Sequence, residues 1–167
     1  PPVFLYEEEE NHQKMLLVER VRFIKSIPNF AAIPGDSITR MVDAMNERKV
    51  PLGTALINEG DKGDQPLFVI IDGKVDLFRS GAVFKSLGPK DILGEEAILF
   101  MEKFDYQAVT SEETSFFILP KEEVFDLMTL HSEILKAFLD LIDTTVKPES
   151  IDPFDLSILD DNVSVFN

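Results

Sequence analysis

The sequence predicts an α+β protein: an antiparallel β core, sandwich or barrel, flanked by N-terminal and C-terminal helices. Three observations carry this. Apolar residues recur at helical spacing over residues 15–46 and again over 121–146, whereas residues 48–119 break into short β-type runs separated by Gly, Pro, Asp and Ser. No helical stretch separates those runs, which argues against the alternating pattern of a parallel α/β sheet. No repeat with a period of 20–50 residues is visible, which argues against a solenoid.

The elements follow in order. Met15, Leu16, Leu17, Val18, Val21, Phe23 and Ile24 make a first helix that ends before Pro28, because a proline biases the preceding residue, Ile27, away from helix. Ile38, Met41, Val42 and Met45 fall at i, i+3, i+4, i+7 after Pro34-Gly35-Asp36-Ser37, where Asp36 or Ser37 can accept from the orphan amides of the first turn. Six to eight strands are expected, with runs at Lys49–Leu52, Thr54–Glu59, Leu67–Ile71, Lys74–Arg79, Val83–Leu87, Tyr106–Thr110 and Ser115–Leu119. Asp72-Gly73 predicts a tight hairpin, since a primed turn needs a positive φ that glycine adopts without steric penalty. Ser80-Gly81, Gly60–Asp64 and Gly88–Asp91 supply further turns. After Pro120, Val124, Phe125, Leu127 and Met128 share one helical face, and Ile134, Leu135, Phe138, Leu139 and Ile142 follow beyond Ser132.

The 167 residues carry 16 Lys+Arg against 31 Asp+Glu, a formal charge of −15. That length suits one domain. Four of the negative charges lie in Glu7–Glu10 and five in residues 148–167, which leaves −6 for residues 11–147. The division expected is an acidic N-terminal extension over 1–14, a domain over 15–147, and an acidic-hydrophobic C-terminal tail over 148–167. The domain itself divides into helices 15–46, β core 48–119 and helices 121–146. Acids alternate with apolar residues in the tail, which suits either a solvated segment or a docking peptide.

The acidic excess argues against a nucleic-acid-binding surface, which needs clustered Lys and Arg to neutralise phosphates. No apolar run approaches the length of a membrane span, so direct membrane insertion of this segment is not expected. The absence of cysteine excludes a disulfide scaffold and thiolate chemistry. His12 and His131 have no metal-ligand spacing and are expected on the surface, and the Asp61–Asp64 stretch lacks the acidic alternation of a calcium loop. Neither Gly-x-Ser-x-Gly, a Walker loop nor a dinucleotide fingerprint is present, so no enzyme is expected.

A family resemblance rests on four segments in succession. Phe23-Ile24-Lys25-Ser26-Ile27-Pro28-Asn29-Phe30 precedes a helix, and Gly53–Asp64 brings a strand into a glycine-bearing turn. Leu67-Phe68-Val69-Ile70-Ile71-Asp72-Gly73-Lys74-Val75 is an apolar strand with its turn, and Leu87-Gly88-Pro89-Lys90-Asp91-Ile92-Leu93-Gly94-Glu95 closes the series. Over roughly residues 15–145 the chain resembles the cyclic-nucleotide-binding domain family. The resemblance implies a jelly-roll-like antiparallel β barrel with its ligand against a short helix, cradled by backbone amides around Gly94 and Ala97. A glycine permits close approach of an anion, and a helix N-terminus presents unpaired N–H groups to it. In the family the Glu after that Gly accepts a ribose hydroxyl, which corresponds to Glu95 here.

The chain departs from the family where an Arg would pair with the cyclic phosphate. Without gaps that position falls on Phe104; aligned on the next strand it falls on Asp105. Lys103 is the nearest cation and cannot present a bidentate fork. Glu96 stands where the family has an apolar residue. Tyr106 and Gln107 could line an altered pocket or simply face core and solvent. The candidate ligand-binding residues are therefore Gly94, Glu95, Glu96, Ala97, Lys103, Asp105, Tyr106 and Gln107, with no catalytic residue and no metal site.

The function expected is a non-catalytic regulatory or interaction module that binds cyclic AMP or cyclic GMP weakly or not at all and takes no cofactor. The alternative is a sensor of cyclic AMP, cyclic GMP or another nucleotide controlling an attached effector such as a membrane transporter. A chain beginning Pro-Pro is expected to be part of a larger polypeptide, cytoplasmic or the cytoplasmic domain of a membrane protein. Its partners would be other domains of that parent, or a second copy in a homodimer, with no nucleic acid. A DNA-binding half is not expected in the twenty-residue acidic tail after Lys147. Met15–Phe30 also resembles a segment of the C-terminal domains of bacterial nucleotide-transporter-like or helical-repeat proteins.

Overall fold

The computed structural model of the chain describes residues 15–61, 65–95 and 103–145, with side chains in the last helix as far as residue 140. The expected extension 1–14 and tail 148–167 lie outside the described residues, as does the 62–64 part of the turn after Gly60. The element order is α1 (Leu17–Lys25), a 3-10 turn (Pro28–Phe30), α2 (Gly35–Asp43), then eight strands, then α3 (Lys121–Leu130) and α4 (Ser132–Thr145). The strands are β1 (Asn46–Val50), β2 (Ala55–Ile57), β3 (Leu67–Asp72), β4 (Val75–Arg79), β5 (Ala82–Leu87), β6 (Ile92–Leu93), β7 (Gln107–Thr110) and β8 (Thr114–Leu119).

These strands make two four-stranded antiparallel sheets, ordered β1-β8-β3-β6 and β2-β7-β4-β5. The architecture shown is thus α+β with two sheets and flanking helices; among the described residues no strand pairing closes the two into one barrel.

Alternation along the first sheet explains where the core sits. In β3 and β8, Leu67 faces Leu119, Phe68 faces Ile118, Val69 faces Phe117 and Ile70 faces Phe116. Side chains of successive residues point to opposite faces, so the odd-numbered set Leu67, Val69, Phe117 and Leu119 packs with Ile24, Phe30, Ile38, Met41, Val124, Ile134 and Phe138 from the helices. The even-numbered set Phe68, Ile70 and Phe116 packs instead with Ile57, Val75, Leu77 and Ala108 of the second sheet. Ile92 and Leu93 of β6 divide the same way, one to each cluster. Strands β3, β6 and β8 of the first sheet are therefore buried on both faces, whereas the edge strand β1 is largely exposed.

Two polar devices fix the flanking helices. Glu47 on β1 has a side chain only 3% exposed and lies 3.7 Å from the Arg20 guanidinium of α1. Its Oε1 also accepts from the Met15 N–H at 2.9 Å, while Arg20 donates to the carbonyls of Met15 and Met45. At the other end, Ser37 Oγ and His131 Nδ1 lie 2.8 Å apart, joining α2 to the break between α3 and α4.

That second contact corrects two expectations. The helix begins at Gly35 after Pro34, with Ser37 buried inside its first turn, so neither Asp36 nor Ser37 is the residue preceding it. His131 is half-buried rather than on the surface, because it ends α3 in extended backbone and its ring is drawn toward Ser37. Strand β6 was not expected, since two residues are too short to show alternation.

The turns fall where the glycines stand. Gly73 has φ +104°, and a Cβ there would lie 2.5 Å from Thr114 Oγ1 and 2.6 Å from the Glu113 carbonyl oxygen. Gly73→Ala is expected to destabilise the fold by about 2–4 kcal/mol in urea denaturation, since both the backbone conformation and the close approach forbid the methyl. Glu47→Ala is expected to cost about 2–4 kcal/mol by the same measurement, because it leaves Arg20 and the Met15 amide without their buried acceptor.

Candidate functional site

The segment from β6 onward builds the site. Leu93 is buried in the cluster between the sheets, and Gly94 follows at φ +100° with its Cα so close to β3 that a Cβ would stand 2.9 Å from the Pro66 carbonyl oxygen. Glycine is thus required by both backbone and space. Glu95, next in line, is helical and only 4% exposed. Glu96 and Ala97, two of the candidate residues, lie outside the described residues.

The chain returns at Lys103, which is exposed. Phe104 is then pinned on both sides of its backbone: its N–H donates to the Asp61 carbonyl at 2.9 Å, and its carbonyl accepts from the Gly60 N–H at 2.8 Å. Its ring is 4% exposed and belongs to the core between the sheets. Tyr106 is equally buried and meets Phe104 edge-on at 5.5 Å and Phe84 at 6.1 Å. Gln107 donates through Nε2 to Asn58 Oδ1 at 3.1 Å.

Asp105, between these two rings, points the other way. Its side chain is 72% exposed, and its Oδ1 lies 3.1 Å from Arg79 Nη2. Arg79 sits at the end of β4, and its guanidinium lies over the Phe84 ring, 4.2 Å from the centroid. An arginine held this way by an aromatic face keeps its charge while shedding part of its hydration.

Next to the buried Phe104 and Tyr106 in sequence, the structure forms two exposed polar pairs, Gln107 with Asn58 and Asp105 with Arg79, the latter over Phe84. We call these the rim of the candidate site; Lys103 is also at the surface. Arg79 is a residue that sequence reasoning missed. Its only local signal is strand parity, since Val75, Leu77 and Arg79 fall on one face of β4 and the first two are buried. Phe84 could not be read at all. The β4–β5 register shifts between Leu77 and Phe78, so Phe84 becomes the extra residue of a bulge.

Residues 47–131 match the cyclic nucleotide-binding domain family, and the chain belongs to it. Among its relatives, the cAMP-dependent protein kinase type II regulatory subunit of Drosophila melanogaster is 29% identical over 85 residues, covering 49% of this chain and 22% of the relative. The cyclic AMP receptor protein of Thermus thermophilus is 27% identical over 110 residues, covering 63% of this chain and 50% of the relative. A solved cyclic nucleotide-binding domain from Methylobacillus flagellatus superposes with a TM-score of 0.66 at 22% identity, over 76% of each chain. That likeness shows the fold. The chain spans half or less of the length of these sequence relatives.

Among the described residues no helix is long and apolar enough to cross a membrane, and no group of His, Cys, Asp and Glu could hold a metal ion. Because the Phe104 ring fills core space, Phe104→Ala is expected to cost about 3–5 kcal/mol of stability, read as a lower urea midpoint at unchanged slope.

Proposed function

We propose that the chain is a non-catalytic regulatory or interaction module whose cyclic-nucleotide site is degenerate, binding cyclic AMP or cyclic GMP weakly or not at all. One observation carries this reading. The two residues that could stand for the family's phosphate-pairing arginine are Phe104, whose ring is packed in the core, and Asp105, whose exposed carboxylate lies 3.1 Å from Arg79. Neither offers a cation, and a carboxylate at the rim repels an incoming phosphate. Losing one partner of a desolvated charge pair costs about 2–5 kcal/mol, roughly thirty- to several-thousandfold in affinity.

The glycine and the buried acid at the start of the site are compatible with a retained ligand cradle, which keeps the sensor reading in view. Gly94 keeps a backbone conformation that favours glycine, φ +100°, and Glu95 is placed directly after it. In that case the module would report nucleotide to an attached effector. Either way its partners are other domains of a longer parent chain, in keeping with the kinase regulatory subunit among its relatives. A cytoplasmic setting suits this reading, and so does a jelly-roll arrangement of the two sheets.

Isothermal titration with cyclic AMP and cyclic GMP at ordinary salt separates the two. The degenerate reading expects no dissociation constant at or below the micromolar range and no rise in the thermal midpoint with either nucleotide, since a ligand that binds only the folded form must raise it. Micromolar or tighter binding would establish the sensor.

A further inference from the structure

The Arg79–Asp105 pair is the one charged contact at the rim of the site, among the described residues, and its geometry is specific. We propose that Arg79 is the anion-recognising group of this chain and that Asp105 is its built-in competitor, so that an oxyanion and the Asp105 carboxylate alternate on the same guanidinium. This rests on the reading of the site as one that lacks the family's cation, and it places the replacement on a different strand.

The argument starts from the strand. Val75, Leu77 and Arg79 share a face of β4, and the first two point into the core between the sheets. The β4–β7 register ends at Phe78 opposite Gln107, next to both Arg79 and Tyr106. Arg79 is linked inward through rings: its guanidinium lies over Phe84, Phe84 meets Tyr106, and Tyr106 meets Phe104 in the core between the sheets.

The bulge at Phe84 supplies the platform. With the guanidinium carbon of Arg79 4.2 Å from its centroid, the Phe84 ring limits the positions open to that group. A planar fork of five donors held in one plane suits the paired oxygens of a phosphate or carboxylate. Asp105 engages it through Nη2 and is itself 72% exposed. An ion pair so open to water is weakly held, so a ligand oxyanion can take its place.

The occupant is thus an oxyanion, supplied either by a nucleotide or by free phosphate. Its apparent affinity is lowered by the fraction of time Asp105 holds the guanidinium. Removing the competitor raises affinity by that factor, whatever the starting value. Adding an arginine elsewhere is not needed.

The test measures binding of cyclic AMP and, separately, of inorganic phosphate to the full chain, its Asp105→Asn variant and the Asp105→Asn/Arg79→Met double variant by titration calorimetry, with NMR shifts of the Arg79 side chain as a second readout in the two forms that keep it. Asp105→Asn is expected to tighten binding about two- to sixfold, the range an exposed ion pair can withhold, and the double variant to lose the gain. Gain with phosphate alone assigns a simple oxyanion seat; gain confined to cyclic AMP assigns a nucleotide seat. An unchanged affinity in Asp105→Asn, or a gain that persists without Arg79, overturns the proposal. Tight binding by the unaltered chain would instead overturn the degenerate reading while leaving the ratio between variants to judge this one. Both positions are exposed enough that the variants are expected to fold, which their thermal midpoints check.

Discussion

The pairing of β3 with β8 is the constraint on which the rest of the structure depends. Four consecutive buried residues, Leu67–Ile70, lie in a strand whose two faces both meet apolar layers. One face holds the helices and the other the second sheet, and Phe116 and Phe117 on β8 repeat the division. A one-residue slip would exchange every side chain between the two clusters. The helices and the second sheet take their positions from this single register.

The candidate-site segment after residue 103 is an extension of the same core. Phe104 and Tyr106 belong to the cluster that includes Phe68 and Phe116, so their rings contribute to packing. The backbone bonds of Phe104 to Gly60 and Asp61 tie that segment to the turn after β2. Exposed polar contacts flank the segment, Asp105 with Arg79 and Gln107 with Asn58, while Glu95 is buried. The N-terminal helix is held independently, through Arg20 and the buried carboxylate of Glu47.

Much of the fold was legible because local physics and tertiary demand agree. The run Leu67–Ile71 reads as a strand, and Asp72-Gly73 reads as its turn because only glycine tolerates φ +104° against Thr114. The helix at Ile38, Met41, Val42 and Met45 declares its buried face through spacing, and all four are buried. Reading failed where the partner is distant in sequence. Ser37 looked like a cap and is instead joined to His131, 94 residues away. Arg79 closes the expected run Lys74–Arg79 with no further role read for it, because its partner Asp105 lies 26 residues on and its platform Phe84 is brought over by a bulge.

Sequence by itself determined the order of helices and strands, the turns that glycine makes obligatory, and the absence of an arginine near residue 104. These follow from period, backbone sterics and residue identity, each of which is local. Tertiary structure alone decided that the strands divide into two sheets, that β3, β6 and β8 of the first are buried on both faces, and that Phe104 turns inward while Asp105 turns out to Arg79. Alternation states that neighbouring residues face opposite ways, but which way each faces depends on what the other layers supply.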